Sequence, residues 1–101
     1  MNAASNSIAA QLFRSGATIE SVMEQTGRAR STVTEYLSDF LRAEPQPSVD
    51  RWVSPVIYQR VAAAAAKVGT ENLKPIFEAL DGQVPYDDIR IVVTHLNTHG
   101  G

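Results

Sequence analysis

Apolar residues recur every three to four positions along almost the whole chain, which is the spacing of helices that bury one face. The alternating, β-branched patterns that are typical of strands are missing from this sequence. Glycines, prolines and helix-capping residues divide the pattern into six segments. The sequence therefore predicts an all-α fold of about six short helices.

The N-terminal half of the pattern, residues 5–43, contains three of these helices. Ser5 is the predicted N-cap of the first helix, and Gly16 follows its end. Thr18 is the predicted N-cap of the second helix, which Gly27 closes. The buried faces predicted for these two helices are Ile8, Ala9, Leu12, Phe13, Ile19, Val22 and Met23.

The third helix is predicted from Thr32 to about Ala43, with Ser31 as its N-cap. A short helix, a turn at Gly27 and a second amphipathic helix together form the helix-turn-helix pattern, here from about Thr18 to Ala43. Glycine suits this turn because it reaches positive φ without a Cβ clash. The apolar positions of the third helix are Val33, Tyr36, Leu37, Phe40 and Leu41.

The C-terminal half, residues 54–97, is predicted to add a second layer of three helices after a proline-containing link that carries Trp52. Ser54 followed by Pro55 is a strong helix start, because serine caps the helix and proline fits its first position. Helical spacing extends this fourth helix to about Val68. The fifth and sixth helices are predicted to begin at Thr70 or Glu71 and at Pro85. The residues predicted inward in this half are Val56, Ile57, Val61, Ala64, Val68, Leu73, Ile76, Phe77, Leu80, Tyr86, Ile89, Val92, Val93 and Leu96.

Composition excludes several classes of function. The 101 residues suit one domain, residues 1–101, with a single modest core. The chain has no cysteine, which removes disulfides, thiolate metal sites and cysteine nucleophiles and fits a reducing compartment. No apolar run approaches the ~18 residues that a membrane helix needs. We therefore expect a cytoplasmic protein, associated with the nucleoid if its source is bacterial, without a cofactor, a membrane or a small-molecule substrate.

The third helix presents the candidate DNA contacts. Arginines and short hydroxyl side chains at the start of a helix suit phosphate and base-edge contacts, and the helix N-terminus offers N–H groups to a phosphate. Arg28 and Arg30 are predicted to contact phosphate, while Thr32, Thr34 and Glu35 are predicted to face the groove of the DNA. The complete set of candidates, with the helical members predicted outward, is Arg28, Arg30, Ser31, Thr32, Thr34, Glu35 and Ser38.

The charge balance weighs against a broad DNA-binding face. The net charge is −2, whereas proteins that bind nucleic acid are usually basic. Four arginines are balanced by four acidic residues within residues 1–43, so any basic surface there is local. Few phosphate contacts imply weak, salt-sensitive binding. A plain helical hairpin without DNA-binding function remains an open alternative.

Other residues with chemical potential have simpler structural interpretations. His95 and His99 stand four apart in the last helix, but no third ligand is nearby, so we expect a solvated pair without metal. Asp87 and Asp88 form an acidic pair in the first turn of that helix, where they favour its dipole. Trp52 and Tyr58 are expected to pack against the first three helices, although an exposed aromatic could stack on a base. No nucleophile–base pair is evident, so we expect no enzyme activity.

Five segments carry a family resemblance: Gln11–Gly16, Thr18–Val22, Arg30–Leu37, Glu71–Leu80 and Tyr86–Val93. They resemble the helix-turn-helix domain near the C-terminus of RecQ-family DNA helicases, over about residues 5–96. The resemblance implies an accessory module of a larger ATP-driven helicase. Because the chain has no G-x-x-x-x-G-K-[ST] phosphate loop, the ATPase would lie elsewhere in that parent protein. The site residues implied by the resemblance are limited to positions 28–38.

A module that docks onto protein is the second hypothesis. Its partner would be the remainder of the parent helicase or another protein. The zero net charge of residues 1–43 favours this hypothesis, because a neutral surface does not attract DNA phosphates over a distance. The surface around Arg28 and Thr34 distinguishes the two functions, since a positive convex surface indicates DNA and an apolar surface indicates protein.

Overall fold

The computed structural model describes residues 2–99, with side chains from residue 6 onward, and this part of the chain contains six helices and no strand. The predicted all-α fold is confirmed. The helices are α1 (Asn2–Arg14), α2 (Ile19–Thr26), α3 (Arg30–Ala43), α4 (Pro55–Val68), α5 (Leu73–Ala79) and α6 (Tyr86–His99).

Several helix ends form as the sequence predicts. The Thr18 hydroxyl accepts the Ser21 N–H at 3.1 Å, and the Ser54 hydroxyl accepts the Ile57 N–H at 3.3 Å. Each bond satisfies an amide that the first turn of a helix leaves without a partner. Gly27 ends α2 with φ of +68°, a left-handed conformation that glycine adopts without a steric penalty.

Three predicted helix starts are wrong. α1 already begins at Asn2, so Ser5 lies inside the helix. α3 begins at Arg30 with Ala29 at its N-cap. The turn is this short because Gly27 is left-handed, so that the chain reverses within Gly27 and the two residues that follow it. Ser31 therefore lies in the first turn of α3. α5 begins at Leu73, two to three residues later than predicted, with Asn72 at its N-cap.

The central helices of the fold are α3 and α6. α3 packs against α1, α2 and α6, while α6 packs against α3, α4 and α5. The most extensive contact between any two of the described helices is the one between α3 and α6. The two halves predicted from the sequence are therefore joined through their last helices. The buried residues of this pair are Val33, Thr34, Leu37, Ser38, Phe40, Leu41, Ile89, Ile91, Val92, Val93, Thr94 and His95.

The link between α3 and α4 is anchored by Trp52. Its indole N–H donates to the Ala17 carbonyl at 2.9 Å, and its ring meets Phe13 edge-on with centroids 5.9 Å apart. Such edge-to-face pairs are a favoured aromatic geometry. The prediction that Trp52 packs against the first three helices is confirmed, and the link is thereby attached to the end of α1.

A histidine-centred network connects the same link to α6. His95 Nε2–H donates to the Gln46 carbonyl at 3.0 Å, so Nδ1 is the acceptor for the Tyr58 hydroxyl at 2.6 Å. His99 also approaches the Gln46 carbonyl through Nε2. The prediction of a solvated histidine pair is wrong for His95, which is buried. Tyr58 hydrogen-bonds to α6 rather than to the first three helices, and burial raises the pKa of its hydroxyl.

Four residues predicted inward are exposed. Ile8 is 47% exposed in the middle of α1, so the prediction of its burial is wrong. The other three lie at the ends of their helices. Val56 is 69% exposed in the first turn of α4, and Val68 is the last residue of the same helix. Tyr86 begins α6 and stacks on Phe77, with the rings 4.3 Å apart and 11° from parallel. Helical periodicity assigns a face to each residue, but it does not show where the packed layer ends.

Replacing Trp52 with Phe is expected to lower the free energy of unfolding by about 1–2 kcal/mol, because the half-buried Ala17 carbonyl loses its donor. Chemical denaturation measures this loss. Val56→Ala is the control, and its expected effect is within about 0.5 kcal/mol because the side chain is exposed. Equal stability of Trp52→Phe and the wild-type protein would contradict the anchoring role of the indole N–H.

Candidate nucleic-acid interface

The helix-turn-helix consists of α2, the three-residue turn 27–29 and α3. The Gly27 N–H donates to the Met23 carbonyl at 2.9 Å, and the Val33 N–H donates to the Ala29 carbonyl at 3.0 Å. Val22 and Val33 are both fully buried in the shared core, as the spacing predicts. The motif is therefore present, and it places the N-terminus of α3 directly after the turn.

The start of α3 carries the candidate residues that remain accessible. Arg28, Arg30, Ser31 and Glu35 are exposed, and Thr32 is half-buried. Ser31 and Glu35 stand four residues apart, so they share one face of the helix. Five of the seven candidates are therefore accessible around the first two turns of α3.

The predicted outward orientation is wrong for two candidates. Thr34 is 0% exposed and Ser38 is 2% exposed. α6 packs along α3, and Ser38 lines a small cavity together with Arg90 of α6. The spacing of polar residues in α3 indicated that this face is exposed to solvent. However, α6, which lies much further along the chain, covers part of it. Neither hydroxyl is accessible to DNA in this fold.

These two buried hydroxyls also lack hydrogen bonds. Within the described residues, neither the Thr34 nor the Ser38 side-chain oxygen has a hydrogen-bond partner. A buried polar group without a partner lowers stability, because it has lost its bonds to water without replacement. The contact between α3 and α6 therefore buries two hydroxyl groups at a cost in stability. The sequence pattern predicts that the same two residues, Thr34 and Ser38, contact DNA.

Acidic residues surround the start of α3. Arg30 Nη1 donates to Glu20 Oε2 at 2.8 Å, and this contact lowers the pKa of the Glu20 carboxyl and raises the pKa of Arg30. Asp87 and Asp88 at the start of α6 also interact electrostatically with Arg30. This arrangement is not predictable from the sequence pattern, because Glu20 and the two aspartates approach Arg30 only through the packing of α2 and α6.

Asp88 is held in an environment that disfavours its charge. Burial raises the pKa of its carboxyl, Arg30 acts in the opposite direction, and Asp87 adds to the increase. The net direction is upward, so the ionised form of Asp88 is less favourable in the folded state than in the unfolded chain. Ionised Asp88 therefore has an unfavourable contribution to stability, which the helix-dipole interpretation of the sequence did not include.

Thr34→Val and Ser38→Ala are each expected to raise the free energy of unfolding by about 1 kcal/mol, since each removes a buried hydroxyl without a partner. Neither change should weaken DNA binding. Thermal unfolding and a DNA titration check both statements, and Ser7→Ala at an exposed position of α1 is the control, with no change expected in either measurement. Destabilisation by both substitutions, or loss of DNA binding at unchanged stability, would contradict the burial of this face.

Asp88→Asn is expected to stabilise the protein at pH 7, because it removes the cost of burying a charge. A raised pKa in the folded state means that the wild-type protein loses stability as the pH rises through that pKa. The advantage of Asp88→Asn should therefore disappear as the pH falls towards 3.8, the ordinary pKa of aspartate. Urea denaturation between neutral and acidic pH measures the difference, and Asp81→Asn is the exposed control. A stability difference that grows towards acid would refute the assigned sign.

Two other properties of the described residues bear on function. No group of three His, Cys, Asp or Glu side chains in residues 6–99 is arranged to hold a metal ion. In the same part of the chain, no helix has the length and apolar character required to cross a membrane.

Comparison with known proteins identifies the family. A family model described as a helix-turn-helix domain matches residues 5–93, which include the motif and most of the second half. No curated protein and no solved structure matches the chain. A helix-turn-helix domain is a non-catalytic type of module associated with DNA binding. The match extends over most of the 101 residues, and the chain therefore belongs to this family of helix-turn-helix domains.

Proposed function

We propose that this chain is an accessory DNA-binding or DNA-orienting module of a RecQ-like DNA helicase. Membership of a helix-turn-helix family supports the DNA-binding part of the proposal. The resemblance of both halves to the C-terminal domain of RecQ-family helicases supports the helicase part. The observation that carries the proposal is the exposed start of α3, where Arg28 lies in the turn of the motif and Arg30 is the first residue of the helix.

Phosphate contact at this site begins with Arg28 and Arg30. Arg30 is paired with Glu20, but both side chains are largely exposed, and pairs of this kind contribute only about 0–1 kcal/mol. A DNA phosphate therefore competes with Glu20 for the guanidinium. Ser31 and the first amides of α3 provide further donors to the same phosphate.

Base reading by α3 is restricted to its exposed edge. Thr32 and Glu35 are the candidates closest to the bases, whereas α6 covers the face that carries Thr34 and Ser38. The module therefore positions itself on the backbone of the DNA more than it reads sequence. This mode fits an accessory role, in which a separate ATPase of the parent protein supplies the movement. We place the module in the cytoplasm, on the nucleoid if its source is bacterial.

A protein-docking module is the second candidate function, and one observation favours it. Glu20, Asp87 and Asp88 all lie close enough to Arg30 to affect its electrostatics. Three acids around one arginine oppose the approach of a polyanion and favour a partner with basic or mixed charge. The partner would be the rest of the parent helicase or a protein bound to it.

Replacing both Arg28 and Arg30 with Ala is expected to weaken DNA binding and to reduce the salt dependence of the affinity. Each lost phosphate contact lowers the slope of log K against log salt by about 0.9 on duplex DNA. A fluorescence-anisotropy titration of duplex, forked and single-stranded DNA at several salt concentrations measures both effects. Arg60→Ala is the matched control, since Arg60 is exposed on α4 and pairs with Gln83. Absence of DNA binding by the wild-type protein at low salt would refute the proposed function and favour protein docking.

Glu20→Gln is expected to increase DNA affinity severalfold, because it removes a repelling charge and weakens the competition for Arg30. Glu24→Gln, one turn further along α2, is the control for the change in total charge. The same titration measures the two variants side by side. Equal gains in both variants would show that total charge, rather than the Glu20–Arg30 pair, controls binding.

A further inference from the structure

A groove lies between the C-terminal part of α3, the start of α5 with the loop before it, and the side of α6 that carries Arg90 and Asn97. Its volume is about 370 Å³, and it is far from the turn of the helix-turn-helix along α3. The lining residues are Arg42, Thr70, Leu73, Arg90, Val93, Thr94, Asn97 and Thr98. The groove therefore combines an apolar floor with hydroxyl, amide and guanidinium groups from both halves of the domain.

The charged residues that line this groove are both arginines. Arg42 comes from α3 and Arg90 comes from α6. Arg90 is half-buried, and within residues 6–99 its side chain makes no ion pair or hydrogen bond. Arg42 pairs with Asp39 at 3.0 Å, but both side chains are more than half exposed, so the pair is weak. The guanidinium of Arg90 is therefore a donor group that an anion can bind.

The amide of Asn97 adds neutral donors to the same groove. The Thr70 hydroxyl donates to Asn97 Oδ1 at 3.2 Å. This bond uses the acceptor side of the amide and leaves the two hydrogens of Nδ2 as donors. The groove is therefore lined by two arginines and an asparagine, whose guanidinium and amide nitrogens are donors of the kind that the oxygens of a tetrahedral anion accept.

We propose that this groove binds a phosphate group, the group that a nucleic-acid backbone presents. The planar fork of a guanidinium donates two parallel hydrogen bonds to phosphate oxygens, and arginines from two helices approach one anion from different directions. Glu35 and Asp39 line a smaller neighbouring cavity beside the same arginines, so their charge opposes a second phosphate there. The assignment to nucleic acid rests on the proposed DNA-binding function, whereas the assignment to phosphate rests on the groove alone.

The test is an NMR titration of the ¹⁵N-labelled 101-residue chain, first with inorganic phosphate and then with duplex and single-stranded DNA. Residues 30 and 42 of α3 are about 18 Å apart along the helix axis. Binding at one end of α3 therefore shifts different amide signals from binding at the other end. We expect phosphate to shift the amide signals of Thr70, Arg90, Asn97 and Thr98. Arg42→Gln with Arg90→Gln should abolish these shifts, and the double variant should bind DNA about tenfold more weakly.

Two controls keep the result interpretable. Arg60→Gln makes the same charge change at an arginine that does not line the groove, and it should retain the phosphate shifts. Arg42→Gln alone changes an exposed side chain and should reduce the shifts without affecting folding. This single variant tests phosphate binding in the groove even if replacement of Arg90 in the double variant alters the packing of α6.

The outcomes separate this proposal from the proposed function. DNA shifts at the groove amides would support nucleic acid as the source of the phosphate. Phosphate shifts at the groove without any DNA binding would support the phosphate site and overturn the DNA-binding function. DNA shifts confined to the start of α3, with no response of the groove to phosphate, would overturn the groove site and leave the DNA-binding function intact.

Discussion

The packing of α6 against α3 is the contact on which the rest of this structure depends. It joins the helix-turn-helix to the C-terminal helices, and it is the most extensive contact between described helices. α3 consequently packs against α1 and α2 as well as α6, so its residues are buried on more than one face. Much of the surface of α3 is therefore buried in the core and is not accessible to a ligand.

The same contact determines the electrostatics of the motif. The first turn of α6 carries Asp87 and Asp88, and both interact with Arg30 at the first turn of α3. Glu20 adds a third acid from α2. The motif and the C-terminal half therefore cannot be treated as independent units, because the motif supplies Arg30 and the C-terminal half supplies two of the acidic residues around it.

Local sequence signals predicted much of the fold and less of the site. The caps at Thr18 and Ser54 and the left-handed turn at Gly27 depend on a few neighbouring residues, and they form as predicted. The predicted exposure of Thr34 and Ser38 was wrong because their burial depends on α6. The spacing of residues within α3 does not show that α6 packs against it. The groove at Arg42 and Arg90 was missed for the same reason, since 48 positions separate the two arginines in the sequence and only the helix packing brings them to one cavity.

The central claim is that α6 limits α3 to backbone-directed contact with DNA. The most direct measurement compares the affinity of the domain for a panel of duplexes with unrelated sequences, each at low and at physiological salt. We expect affinities within about tenfold of one another and a steep loss with salt, because the contacts would be dominated by phosphate. A single sequence bound about a thousandfold more tightly than the others would show that α3 reads bases and would contradict the account.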